Sequence, residues 1–131
     1  MTKIEFKKRT KSFAIDIAKF SKSIPYDFVV KHYISQIIRS SSSVGANYRA
    51  ACRAKSKPDF INKMRIVEEE TDETMFFLEL IYEFNKDRKV EIKKLYVEAN
   101  EILSMTVSSI NTAIRKHQSE IANLKSKKTN E

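Results

Sequence analysis

Glycine is nearly absent from this chain: one in 131 residues, beside two prolines, one cysteine and no tryptophan. So few turn-formers cannot supply the tight reversals that a sheet-rich fold needs, which sets aside all-β and α/β architectures. A lone glycine also rules out the Walker and dinucleotide-binding loops, each of which needs several. A lone cysteine forms no internal disulfide framework. No apolar run approaches the ~18–20 residues that a membrane span requires. The early cluster Lys3, Lys7, Lys8 and Arg9 is not followed by an uncharged apolar stretch, so no secretory signal is expected, and the chain reads as cytoplasmic. Acids are in deficit as well, 17 Asp plus Glu against 25 Lys plus Arg, for a formal net charge of +8.

What is present is helical periodicity. Apolar or small residues recur at alternating steps of three and four along four segments. The first seam is Phe6, Thr10, Phe13, Ile17, Phe20, Ile24, stopped by Pro25. The second is Val30, Ile34, Ile37, Ser41, Val44, Tyr48, Ala51, opened by Asp27 as N-cap or first-turn acid. The third is Phe60, Met64, Val67, Thr71, Thr74, Leu78, Ile81, with Ser56 placed to cap it and Pro58 in its first turn. After the polar break Asn85–Arg88, a fourth seam runs from Ile92 through Tyr96, Ala99, Leu103, Thr106, Ile110, Ala113, His117 and Ile121 to Leu124. These spacings predict helices over about 5–23, 27–55, 57–85 and 90–125 in one domain, 1–125, with a frayed basic tail at 126–131. Short connections make this an all-α, antiparallel up-down-up-down four-helix bundle with a short first helix. A short helix leaves apolar surface on its longer neighbours uncovered. Tyr33, Ile38, Phe76, Phe77, Tyr82 and Phe84 lie partly off the seams, and either widen the core stripe or form a subunit interface.

The run Arg39–Ala46 is poor in helix propensity, and Gly45 alone costs about 1 kcal/mol against alanine. The seam nevertheless holds phase through it, from Ile37 to Ser41, Val44 and Tyr48. A loop has no reason to keep phase. A continuous helix is expected, its small residues admitting a neighbouring helix closely.

The inventory for catalysis is thin. Neither His32 nor His117 has the glutamate three residues earlier that a di-iron bundle uses, since Val29 and Ile114 stand there. His117 falls on the fourth seam and reads as a core or interface histidine, and Cys52 as a small buried hydrophobe. The acidic run Glu68-Glu69-Glu70-Thr71-Asp72-Glu73 spreads around its helix, so its carboxylates read as solvated or ion-paired. Any that turned inward beside Thr71 and Thr74 would need partners such as Tyr48 or Arg49. No metal site, no cofactor and no enzymatic activity are expected.

The basic residues are better organised. Net charge is +10 over residues 1–57, −5 over 58–101 and +3 over 102–131. On the first helix Lys8, Lys11, Lys19 and Lys22 fall within an arc of about 80°, opposite its seam. Arg49, Arg53 and Lys57 form a second row at four-residue spacing, with Lys55 beside it. Rows of this kind are an electrostatic footprint for polyanions. A membrane surface fits less well, because the opposite face is needed for the core.

The stretch Ser42-Ser43-Val44-Gly45-Ala46-Asn47-Tyr48-Arg49-Ala50-Ala51, followed by Ala54-Lys55-Ser56-Lys57 and Asp59-Phe60-Ile61-Asn62-Lys63, resembles the bacterial four-helix-bundle family encoded in intervening sequences of 23S ribosomal RNA genes. The run Glu68–Glu73 with Phe77-Leu78-Glu79-Leu80 fits the same family. Ser43, Gly45, Ala46 and Asn47 form its most specific, helix-packing part. Where other branches carry an acid soon after the asparagine, this chain has Ala50 and Ala51, so no role for that carboxylate carries over. The resemblance implies a bundle assembling as a homopentamer, similar to the accessory protein of diversity-generating retroelements, which binds nucleic acid and a reverse transcriptase. The expected function is therefore a non-enzymatic oligomer that binds nucleic acid, RNA foremost, through phosphate contacts. The alternative is a scaffold or adaptor for an acidic or polymerase-like protein partner.

Overall fold

A computed structural model describes residues 1–130, with side-chain surroundings described through Lys128. Four helices form: α1 Lys3–Ser23, α2 Phe28–Ala51, α3 Lys57–Phe84 and α4 Lys89–Asn130, with a 3-10 turn at Lys86–Arg88 before the last. There is no strand among the described residues. Each helix packs on the next and α4 closes on α1, while the diagonal pairs make no close backbone approach among the described residues. The result is a four-helix bundle with α1, at 21 residues, its shortest helix and α4, at 42, its longest.

The caps explain where the helices begin. Asp27 accepts from the backbone N–H groups of Val29 and Val30, and Ser56 from that of Asp59 at 3.2 Å, with Pro58 in the first turn of α3. The first helix starts at Lys3 rather than residue 5, because Thr2 and Glu5 form a reciprocal capping box. The second ends at Ala51 rather than 55. Arg53 and Ala54 turn back onto the carbonyls of Ala50 and Ala51, and the Lys55 N–H is taken by Asp59 Oδ2 at 3.0 Å, which commits it to the start of α3. The fourth helix runs on to Asn130, through the tail expected to fray; Lys127 and Lys128 in its last turn suit the negative end of the helix dipole.

The core is built mainly from the four seams, but Ile61, Met75 and Ile102, beside the seams, are buried, while the seam residues Ile34, Phe60, Tyr96 and Leu103 are only half-buried. Phe13, Ile17, Ile37, Val44, Met64, Val67, Leu78, Ile81 and Ile102 are at most 1% exposed. Each such side chain contributes ~1.5–3 kcal/mol by leaving water. The polar seam members are buried too. Thr10, Thr71 and Thr106 donate to the carbonyls of Phe6, Val67 and Ile102 at 2.7–3.0 Å, so their hydroxyls are satisfied within their own helix. Ser40 and Thr74 bond each other across α2 and α3 at 2.8 Å. The serine-rich stretch of α2 is continuous helix, with Ser40 and Ser41 inside the bundle.

The off-seam aromatics divide. Tyr33, Phe77 and Tyr82 are half-buried against the core, while Phe76 and Phe84 remain 53% and 56% exposed. Cys52 is half-buried rather than buried, because it lies in the turn that ends α2.

Candidate nucleic-acid interface

Two helix faces meet to make a strongly basic groove. On α1, Lys7, Lys8 and Lys11 stand beside Thr10 and Ala14; on α2, Arg49 stands beside Ser42, Gly45 and Ala46. Together they line an open groove of about 490 Å³. Its floor is small because the α2 contribution is serine, glycine and alanine, which let α1 approach. A Cβ built on Gly45 would lie 3.5 Å from Thr10 Oγ1 and 3.7 Å from the Thr10 backbone, so this is ordinary close packing and not a site that only glycine fits. Asn47 turns back along its own helix and donates to the Ser43 carbonyl at 2.9 Å.

Among the described residues no carboxylate, histidine or cysteine lines this groove. Several acids of α3 and α4 are paired with other cations. Arg9 is held by Glu98, at 2.6 and 2.8 Å, and by Glu101; Arg39 is held by Glu70 and Glu73. Donating to these carboxylates pushes both guanidinium pKa values up. Glu70 is pushed up by burial, against the opposing pull of Arg39. Its partner is thus Arg39, not Tyr48 or Arg49. Lys7, Lys8, Lys11 and Arg49 form no ion pair among the described residues, which leaves their charge to the groove.

The other basic residues read from the sequence scatter around this centre. Lys19 lies on a different groove, between α1 and α4, beside Asp16, Glu91, Lys94 and Glu98. Lys22 is exposed in the last turn of α1. Arg53 and Lys55 are exposed in the connection after α2. Lys57 is ion-paired with Glu120 of α4 and lowers that carboxyl's pKa, so it is not a free phosphate contact. Conversely, Lys7 was missed. At 100° per residue it lies about 40° from Lys11, on the side that faces α2, so the signal was present in the helical projection.

Among the described residues no group of three or more His, Cys, Asp or Glu is placed to hold a metal ion. Among the described residues no helix is long and apolar enough to cross a membrane.

Residues 2–108, which include both walls of the groove, match the family described as 23S rRNA-intervening sequence protein. The chain belongs to that family. A crystal structure of a protein of unknown function from the S23 ribosomal protein family of Bacteroides thetaiotaomicron is similar, with 32% identity and a TM-score of 0.73, over 80% of this chain and 97% of that one. No curated protein matches significantly. Neither match names an enzyme. Of the stretch Ser43–Asn47, Gly45 and Ala46 line the α2 wall of the groove, with Gly45 against Thr10.

Proposed function

We propose that this intervening-sequence protein is a non-enzymatic homo-oligomer, a pentamer, that binds RNA through its α1–α2 groove. The observation that carries the reading is the convergence of Lys7, Lys8, Lys11 and Arg49 on one groove that no acid lines. Lysine and arginine there neutralise phosphates, while Ser42, Gly45 and Ala46 let a backbone approach. The hydroxyls of Thr10 and Ser42 have no histidine or carboxylate in the groove to activate them, which supports binding without chemistry. Among the described residues no aromatic lines it either, so bases are not stacked and sequence is not read. Five copies at +8 each carry +40, which strengthens weak single contacts through avidity.

Four phosphate contacts per protomer give a log–log salt slope of about −3 to −4, or roughly a hundredfold loss of affinity between 50 and 200 mM salt. Fluorescence anisotropy on a labelled RNA measures this. The double variant K8E/K11E should weaken binding and flatten the slope by about two. Binding retained in half-molar salt, or none at low salt, overturns the proposal.

A second reading, a protein adaptor, draws on the aromatic band of α2 and α3. Tyr33 lies 6.3 Å from Phe77 and 6.1 Å from Phe84, and Phe76 lies 5.6 Å from Phe77, with Phe76 and Phe84 more than half exposed. Recovery of one stoichiometric protein partner after nuclease treatment favours this reading.

A further inference from the structure

The seam of α4 outlasts the bundle. Ile110 and Ala113 are buried, but on the same face Ile121 and Leu124 are 40% and 62% exposed. These positions share an arc of roughly 80° at 100° per residue, so the face has not changed; its cover has gone. The ion pair of Lys57 with Glu120 puts the start of α3 level with Glu120. Beyond it residues 121–130 project as helix for about 15 Å, and every side chain from Gln118 to Lys128 is exposed. A helix end of this length gains its stability from packing rather than from propensity, and an apolar seam on it calls for cover. The arm also lies past residue 108, where the family match ends.

A complementary surface exists on the same molecule. Between α3 and α4, Leu103 and Val107 form the floor of a groove of about 380 Å³ whose lining includes Glu68, Glu69 and Asp72, with Arg65 also present. None of those three carboxylates forms an ion pair among the described residues. The arm offers the counterpart: an apolar pair, Ile121 and Leu124, carried with Lys127 and Lys128. The two surfaces of one chain cannot meet, because Ile121 lies about 21 Å along the same helix from Val107.

We infer that the end of α4 is a docking arm that seats Ile121 and Leu124 on the Leu103–Val107 floor of a second copy, with Lys127 and Lys128 against that copy's Glu68, Glu69 and Asp72. The contact is head-to-tail, which forms a ring where its rotation closes. It rests on the self-association proposed above and is independent of the nucleic-acid reading.

Sedimentation velocity on the full chain over a range of concentrations tests it. Wild type should self-associate. K127E/K128E and I121D/L124D should each weaken association at least tenfold, with helicity by circular dichroism unchanged. Adding E68K/E69K to K127E/K128E should restore association. Variants that associate as tightly as wild type overturn the arm and leave the oligomer standing. A monomeric wild type overturns both. Loss of RNA affinity at unchanged association overturns the arm as a protein contact and assigns it to nucleic acid.

Discussion

Replacing Gly45 with alanine should stabilise the protein, although Gly45 sits in the most family-specific stretch of the chain. The backbone at Gly45 has no positive φ, so an L side chain meets no strain there. The added methyl would touch Thr10 at 3.5–3.7 Å, ordinary van der Waals contact. Each atom pair at that distance gains only ~0.1–0.2 kcal/mol, so packing contributes little. The larger gain is conformational: glycine inside a helix costs about 1 kcal/mol against alanine. For a domain of this size that is a rise in Tm of roughly 3–4 °C. A β-branched residue has the opposite sign. Gly45→Val would drive a second methyl towards Thr10 and the α1 backbone, at a cost of about 1–3 kcal/mol. Thermal and urea unfolding of the two variants and wild type, at one fixed protein concentration, measure both effects. A Gly45→Ala protein less stable than wild type refutes the reasoning, since it means that something other than Thr10 stands against that position.

Arg9 joins α1 to α4 through Glu98 and Glu101, and its side chain is 24% exposed. Arg9→Met should cost about 1–2 kcal/mol, at the lower end because the freed carboxylates regain water; a change in urea midpoint too small to resolve would show the network to be incidental. Acid should destabilise the bundle with a definite sign. Asp59 is pulled down by Lys63 and then by the Lys55 N–H, and Glu120 by Lys57. Folded carboxyls with depressed pKa values stabilise above their unfolded values of about 4, and that contribution is lost as pH falls through the folded ones. Glu70, pushed up by burial, works the other way and gains stability as it protonates above that window. Urea midpoints from pH 7 to 3 should therefore fall on the acid limb, and Glu70→Gln should remove the opposing gain; a midpoint that rises steadily to pH 3 contradicts this assignment.

The four seams, the caps at Asp27 and Ser56, and the continuity of α2 through its serines were legible in the residues, because helical periodicity and capping are local. Even the buried threonines were legible, since their hydroxyls bond within their own helix and leave the seam in phase. The helix ends were read less well. The stop at Ala51 depends on Asp59 claiming the Lys55 N–H from across the turn, which no period reports. The charge map divided in the same way. A row of lysines on one face of α1 followed from 100° per residue, but which cations stay free depended on which acids other helices brought to them. Only packing placed Glu120 on Lys57 and Glu98 on Arg9. Only packing set Arg49 beside Lys7, Lys8 and Lys11, because that meeting belongs to the α1–α2 contact. By itself the sequence determined four amphipathic helices, since each seam repeats within one segment. The tertiary structure decided the groove, because a groove is a relation between two segments that no single period contains.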